Sequence, residues 1–350
     1  MKYAYLIIFN LILLSSCLKS DPDMGDNPSA ESREDYIGWN VSADTQSDAS
    51  QPSLRALIGD YDALRDACTQ FETQEAEKIG LLGKYTLDGT SQVAFDNVDL
   101  WWWTKEDGNP FNDILGNESY WNYEGESVKW VKNADYTFKA YFPKSKVNLQ
   151  PGSDADKLLI VYDTEVSQYD LMVEHRQLRA YKENPVNLIM KHALAALKFD
   201  FQLMDEDVVD YLHSCWLENH REDGFYTSST LNFDKDIVWP KASAAHVGTP
   251  IYYWEPDVAP PITGNKAVEA YYDWLLIIPQ SSDEDGVLQL CFRTATGGNA
   301  VYRVDIPAYD FKAGYRYTYH VKMTSAEVKL GLTIADWNER KSSYEIDFNE

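Results

Sequence analysis

The chain has 350 residues, 44% of them hydrophobic and 14% aromatic, enough for two cores of ordinary size. A formal net charge of −25 excludes nucleic acid and anionic membrane surfaces as partners recruited by charge. The 24 tyrosines and 11 tryptophans, set in frequent alternation, predict an all-β protein.

The N-terminus reads as an export signal. Lys2 precedes a short apolar run, AYLIIFNLILL, that is too short to span a bilayer. Leu14-Ser15-Ser16-Cys17 resembles a bacterial lipobox. Residues 1–16 are therefore expected to be a signal peptide, with cleavage before Cys17 and lipidation of that residue. Several acyl chains anchor stably where one is marginal. Residues 17–34 are acidic, polar and hold two prolines, as a tether does.

The first strand is predicted at residues 36–43. Ile37, Trp39, Val41 and Ala43 alternate with Tyr36, Gly38, Asn40 and Ser42, the period of a half-buried strand. A polar run follows at residues 44–53, then Leu54-Arg55-Ala56-Leu57-Ile58. Exposed polar loops are where proteases cut. A cut between Arg55 and Ala56 would separate this strand from everything downstream. Arg33 precedes the strand, and Arg65 falls in a predicted helix over residues 58–71, so neither offers the same outcome.

Strands dominate from there. Short runs are expected at residues 78–82, 98–102, 120–123, 128–131, 136–142 and 158–162, the last closing a first sandwich. A second sandwich is expected from residue 169, with domains of 35–168 and 169–337 and a tail at 338–350. In it, residues 170–178 form a strand and 186–203 read as strand, tight connection, strand. Residues 205–224 are acidic and read as a surface excursion. Further strands are predicted at 274–279, 287–292, 301–306, 315–323 and 328–334, with Asp285-Gly286 and Gly297-Gly298 as hairpin turns. Short strands at this spacing predict sandwiches. In the tail, Tyr344, Ile346 and Phe348 alternate with polar residues, a spare strand pattern.

Motifs for chemistry are missing. There is no nucleophile elbow, and Gly80-Leu81-Leu82-Gly83-Lys84 lacks phosphate-loop spacing. His213, Cys215 and His220 fit no zinc pattern, and Asp283-Glu284-Asp285-Gly286 is a turn rather than a calcium loop. Asp205-Glu206-Asp207 reads as a solvated face. His192, among apolar neighbours, reads as a core histidine. Besides Cys17, the cysteines are Cys68, Cys215 and Cys291, an odd set that allows one disulfide of unassigned pairing but reads as buried or free thiols. The expectation is a protein that is not an enzyme and holds no cofactor or metal. Trp101 and Trp103 share one face of a strand and are the candidate contacts for a glycan.

Taken together and in order, several pieces resemble the fimbrillin-like lipoproteins of Bacteroidetes, subunits of type V pili. They include Cys17, the Arg55-Ala56-Leu57-Ile58 junction, Tyr136-Thr137-Phe138-Lys139-Ala140-Tyr141-Phe142-Pro143, Lys191-His192-Ala193-Leu194-Ala195-Ala196-Leu197, Phe311-Lys312-Ala313-Gly314 and Ile334-Ala335-Asp336-Trp337. The resemblance implies two tandem transthyretin-like β-sandwiches with a minor helix. It also implies an outer-membrane lipoprotein precursor and cutting by an arginine-specific protease at Arg55. Loss of the strand bearing Ile37, Trp39 and Val41 then opens a groove that another fimbrial subunit fills. Tyr344, Ile346 and Phe348 are one donor and residues 328–334 the other. The assembled fimbrium would meet a host or bacterial surface ligand. A fimbrial tip or anchor, or a surface glycan-binding lipoprotein, is the alternative.

Overall fold

The computed structural model describes residues 35–44, 61–69, 76–103, 119–123, 125–151, 158–232, 236–242, 246–271, 274–298, 300–324, 327–337 and 344–347. The first half contains β1 (Trp39–Ala43), α1 (Tyr61–Ala67), β2 (Ile79–Leu87), β3 (Thr90–Trp103), β4 (Tyr120–Tyr123), β5 (Asp135–Phe142), β6 (Asn148–Pro151), β7 (Leu158–Asp163), β8 (Met172–Arg179) and β9 (Val186–His192). Then come β10 (Ala195–Leu203), β11 (Val209–Asn219), β12 (Ser228–Asn232), β13 (Pro250–Trp254), β14 (Pro261–Thr263), β15 (Val268–Glu269) and β16 (Leu275–Ile277). The chain continues through β17 (Gln280–Ser282), β18 (Leu288–Thr294), β19 (Tyr302–Asp305), β20 (Tyr309–Phe311), β21 (Tyr315–Met323), β22 (Val328–Asp336) and β23 (Tyr344–Asp347). The protein is all-β, two tandem sandwich-like units with one short helix among the described residues.

In the first unit the sheet closes on itself in the order β1-β4-β3-β2-β5-β8-β9. Strand alternation sends Ile79, Leu81, Phe95, Leu100, Tyr136, Phe138 and Ala140 into one core, each at most 2% exposed. Gly83 is needed where two aromatics close in: a Cβ there would lie 2.6 Å from the Phe95 ring. Helix α1 lays Leu64 and, just past its end, Cys68 against the same core.

The second unit packs β15-β10-β21-β22-β23 against β13-β11-β18-β19. Phe199, Phe201, Leu217, Phe292, Tyr319 and Leu332 fill the space between them. Residues 186–203 do form two strands joined by a tight connection, and the change of sheet falls at Ala193-Leu194. A third apolar cluster, including Tyr141, Leu171, Leu194, Leu276 and Trp337, joins residues from both halves. There His192 is 3% exposed, stacks on Trp337 at 4.3 Å and has Nδ1 2.9 Å from Asp170 Oδ1. It is the core histidine its surroundings predicted.

Several sequence expectations are corrected. The division at 168/169 does not coincide with the sheets: β8 pairs along β5, and β9 pairs with β1 and β8, so both strands belong to the first closed sheet. Residues 158–162 do not close the first sandwich. They lie in β7, which pairs with β6 and with β12 from far downstream in a separate small sheet. Residues 128–131 give a single bridge, Lys129 with Tyr36, rather than a strand. Residues 205–224 are not a surface excursion, because β11 runs through them as a central strand with Leu212, Cys215 and Leu217 fully buried. Its acidic residues are accommodated by partners: Asp210 Oδ1 accepts from the Tyr211 and Thr296 amides, and Glu218 from Trp216 Nε1.

Candidate functional site: the slot of the first strand

Strand β1 is the piece that completes the closed sheet. It lies between β9, which it follows in parallel from Trp39↔Val186 to Ala43↔Met190, and β4, which it meets at Trp39↔Trp121. Ile37, Trp39, Val41 and Ala43 are 6%, 5%, 0% and 6% exposed, the inward set the alternation predicted. The Trp39 ring is gripped edge-on by Phe95 at 5.2 Å and Phe138 at 5.1 Å. Gly38 and Asn40 sit on the other face, as their alternation required.

The backbone of β1 is held at both ends. At its foot the Ile37 amide donates to Val128 O, and the Trp130 amide donates to Asp35 O, both at 2.9 Å. At its head the Asp44 amide donates to Met190 O at 2.8 Å. The Val186 amide donates to Gly38 O at 2.8 Å. Beyond it the Asn184 side chain extends the pairing, with Oδ1 accepting from the Gly38 amide at 2.8 Å and Nδ2 donating to Tyr36 O at 2.9 Å. Further along, Asn40 Nδ2 donates to Asn187 Oδ1, and Asn187 itself donates from its amide and side chain to Glu183. Burial alone raises the Glu183 carboxyl. The Arg176 guanidinium and the two Asn187 donors outweigh it and hold the group below the usual carboxylate range. Asn184 and Glu183 were not flagged by sequence reading. Only their place in the β8–β9 connection, beside a strand far earlier in the chain, makes them visible.

Among the described residues no group of three or more His, Cys, Asp or Glu side chains is placed to hold a metal. His213 and His220 are exposed while Cys215 is buried, and burial pushes its thiol up. Cys68, Cys215 and Cys291 are free and buried. Trp101 and Trp103 do share a face, with ring centroids 4.9 Å apart, but Trp103 is 8% exposed and donates from Nε1 to Asn122 O. The two rings therefore do not form an open stacking platform.

The two candidate donors differ in commitment. Residues 328–334 lie in β22, flanked by β21 and β23, with Leu330 and Leu332 in the core of the second unit. Tyr344 and Ile346 lie in β23, which pairs on one side with β22 and ends the sheet among the described residues. Cys17, Arg55, Ala56 and Phe348 lie outside the described residues.

The fold is shared with solved bacterial proteins. A fimbrial protein from Bacteroides vulgatus is 14% identical over 86% of this chain and 99% of its own, with a TM-score of 0.61. A candidate cell adhesion protein from Bacteroides ovatus is 14% identical over 87% of this chain and 98% of its own, at 0.52. Another from Bacteroides uniformis is 16% identical over 86% and 99%, at 0.51. A search of curated proteins finds no match. The family described as fimbrillin-like matches residues 72–337, well over half of the sequence, and the chain belongs to that family.

Proposed function

We propose that the protein is a structural subunit of a cell-surface fimbrium. It is exported as a lipoprotein lipidated at Cys17, tethered to the outer membrane by residues 17–34, and cut between Arg55 and Ala56 by an arginine-specific protease. Cutting frees β1, and a strand from another subunit takes its place, so that repetition builds a fibre that supports adhesion. The observation that carries this reading is the position of β1. It is the N-terminal strand of the described fold, yet it fills the interior gap between β4 and β9 of a sheet that is otherwise one continuous run.

Elementary energetics favour this use. Withdrawing Ile37, Trp39 and Val41 uncovers three apolar side chains, each worth roughly 1.5–3 kcal/mol when buried. It also exposes unpaired backbone groups on β4 and β9, a template for strand addition. While β1 stays in place, that template is blocked and the precursor remains a monomer. The edge strand β23, with residues 338–350, is the donor more easily spared. Nine residues of it reach roughly 30 Å at about 3.4 Å each, enough for one strand. The test is Arg55→Ala in the producing cell. Polymer ladders should vanish and the precursor should accumulate, whereas unchanged ladders would sink the assigned cut.

A further inference from the structure

We propose that the outer face of β11 and β18, in the second unit, binds an acidic sugar. Arg293 takes the negative group, and Tyr211 and Tyr253 are the surfaces on which the sugar rings lie. This site rests on the adhesive role proposed above and gives it a ligand class.

Among the described residues Arg293 is a cation without a counterion. Its side chain makes no ion pair or hydrogen bond there, and its Nε is buried without an acceptor. Yet the chain has 56 acidic residues against 31 basic ones, and Arg176, Arg221 and Arg303 each pair with a carboxylate. The guanidinium of Arg293 lies 5.2 Å from the centroid of the Trp216 ring, so stacking rather than hydrogen bonding holds it. Ser214 stands opposite Arg293 in register, is 2% exposed and has its Oγ buried without a partner, so the hydroxyl beside the arginine is not engaged either. The two carboxylates on β11 are already held. Asp210 accepts from the Thr296 amide, and Glu218 accepts from Trp216 Nε1 and meets Arg303. A planar guanidinium with uncommitted terminal donors is a fork shaped for a carboxylate or sulfate.

The strands put the rest of the site around that fork. Phe292 faces the core, so Arg293 faces out, on the side of Trp216. The register shift between Leu212 and Ser214 lets Tyr211 and His213 before it share the outer face with Ser214 and Trp216 after it. Tyr211 is 44% exposed. Tyr253, from β13, is 49% exposed with its ring 5.6 Å from that of Trp216. Arg293 is thus flanked along the sheet by two half-exposed tyrosines. The face of an aromatic ring is negative and the C–H groups of a pyranose are weakly positive, so an open tyrosine accepts a sugar where the covered Trp103 does not. From Tyr211 to Trp216 the strip runs roughly 17 Å at about 3.4 Å per residue, the reach of a short oligosaccharide. The net charge of −25 repels polyanions, which selects a ligand with one acidic group. At physiological salt distant carboxylates are screened beyond about 8 Å, whereas the Arg293 contact acts at hydrogen-bond range.

The test is an array of immobilised oligosaccharides probed with the labelled, purified, uncut chain. Each glycan is present in neutral, carboxylated and sulfated form, beside an acidic peptide. The acidic forms should be retained and the neutral ones should not, and the tighter of the two acidic forms identifies the source of the anion. Arg293→Lys keeps the charge but loses the fork and should weaken retention about tenfold. Tyr253→Ala should also weaken it, whereas Tyr253→Phe should not. No retention, equal retention of neutral and acidic forms, an unchanged Arg293→Lys, or preference for the peptide each overturns the proposal. The neutral-against-acidic comparison uses the unaltered chain, so misfolding does not mimic its result. Assembly is read separately: polymer ladders from cells carrying Arg293→Lys should match the parent's. Ladders missing from the parent itself are the failure of the fimbrial reading, whatever the array shows.

Discussion

Replacing Trp39 with alanine probes the slot most sharply. The indole is 5% exposed and clasped by Phe95 and Phe138 at 5.2 and 5.1 Å, so the substitution empties a cage that cannot fully collapse. Buried tryptophan-to-alanine changes cost about 3–5 kcal/mol. The orphaned Trp39 Nε1 places the cost toward the lower end of that range, because the variant also removes a donor that lacked an acceptor. Native domains have only about 5–15 kcal/mol to lose, so the uncut variant should fold with a clearly lower urea midpoint. In protein cut after Arg55 the same loss acts on retention of the strand, which should weaken by about two to four powers of ten. Size-exclusion chromatography with mass detection reads that release directly. Asn40→Ala is the control: it removes a hydrogen bond to Asn187 on the other face and should cost only about 1 kcal/mol. If Trp39→Ala released the strand no faster than Asn40→Ala, the anchor role of the inward set would be refuted.

Three further outcomes are expected. Asn184→Ala removes the paired side-chain contacts to Gly38 and Tyr36 and should weaken strand retention by about 1–2 kcal/mol without altering the second unit, read by hydrogen exchange. Cys68 shares the core cluster with Ile37, Trp39 and Val41, and burial, reinforced by the Glu77 charge, pushes its thiol well up. Maleimide should therefore label Cys68 slowly in the uncut chain and much faster once β1 has left; equal rates would mean that the helix does not depend on the strand. Glu183 has a depressed folded-state value, so its contribution is present above the ordinary glutamate value of about 4.3 and fades as pH falls through the folded one. The stability of the first unit should drop across that acid window in the parent and less steeply in Glu183→Gln, and parallel profiles would show that Glu183 adds nothing to it.

What could be read from the sequence was local period. Ile37, Trp39, Val41 and Ala43 were identifiable as an inward set because period two survives without knowledge of neighbours, and the same holds for Tyr136–Phe142 and for Tyr315–Met323. Strand β11 escaped because its polar residues look solvated. Asp210 and Glu218 are each 8% exposed; the Thr296 amide donates to Asp210 and Arg303 pairs with Glu218 at 3.6 Å, partners that a linear reading does not bring near. The division between units escaped for a related reason. Whether residues 172–192 join the first sheet or the second is decided by pairing with β5 and β1, a long-range choice that periodicity does not encode. The slot itself was half legible. Its occupant could be read, but the Asn184 clamp depends on contacts across 146 and 148 positions of sequence, and the orphaned Trp39 indole on burial that periodicity does not encode.

The most direct measurement is mass spectrometry of fibres purified from the cell surface, read for the N-terminus of this chain. Assembly by removal of β1 predicts a mature start at Ala56, with residues 17–55 absent from the fibre. A chain that begins at lipidated Cys17 inside the polymer, with β1 still attached, would contradict it.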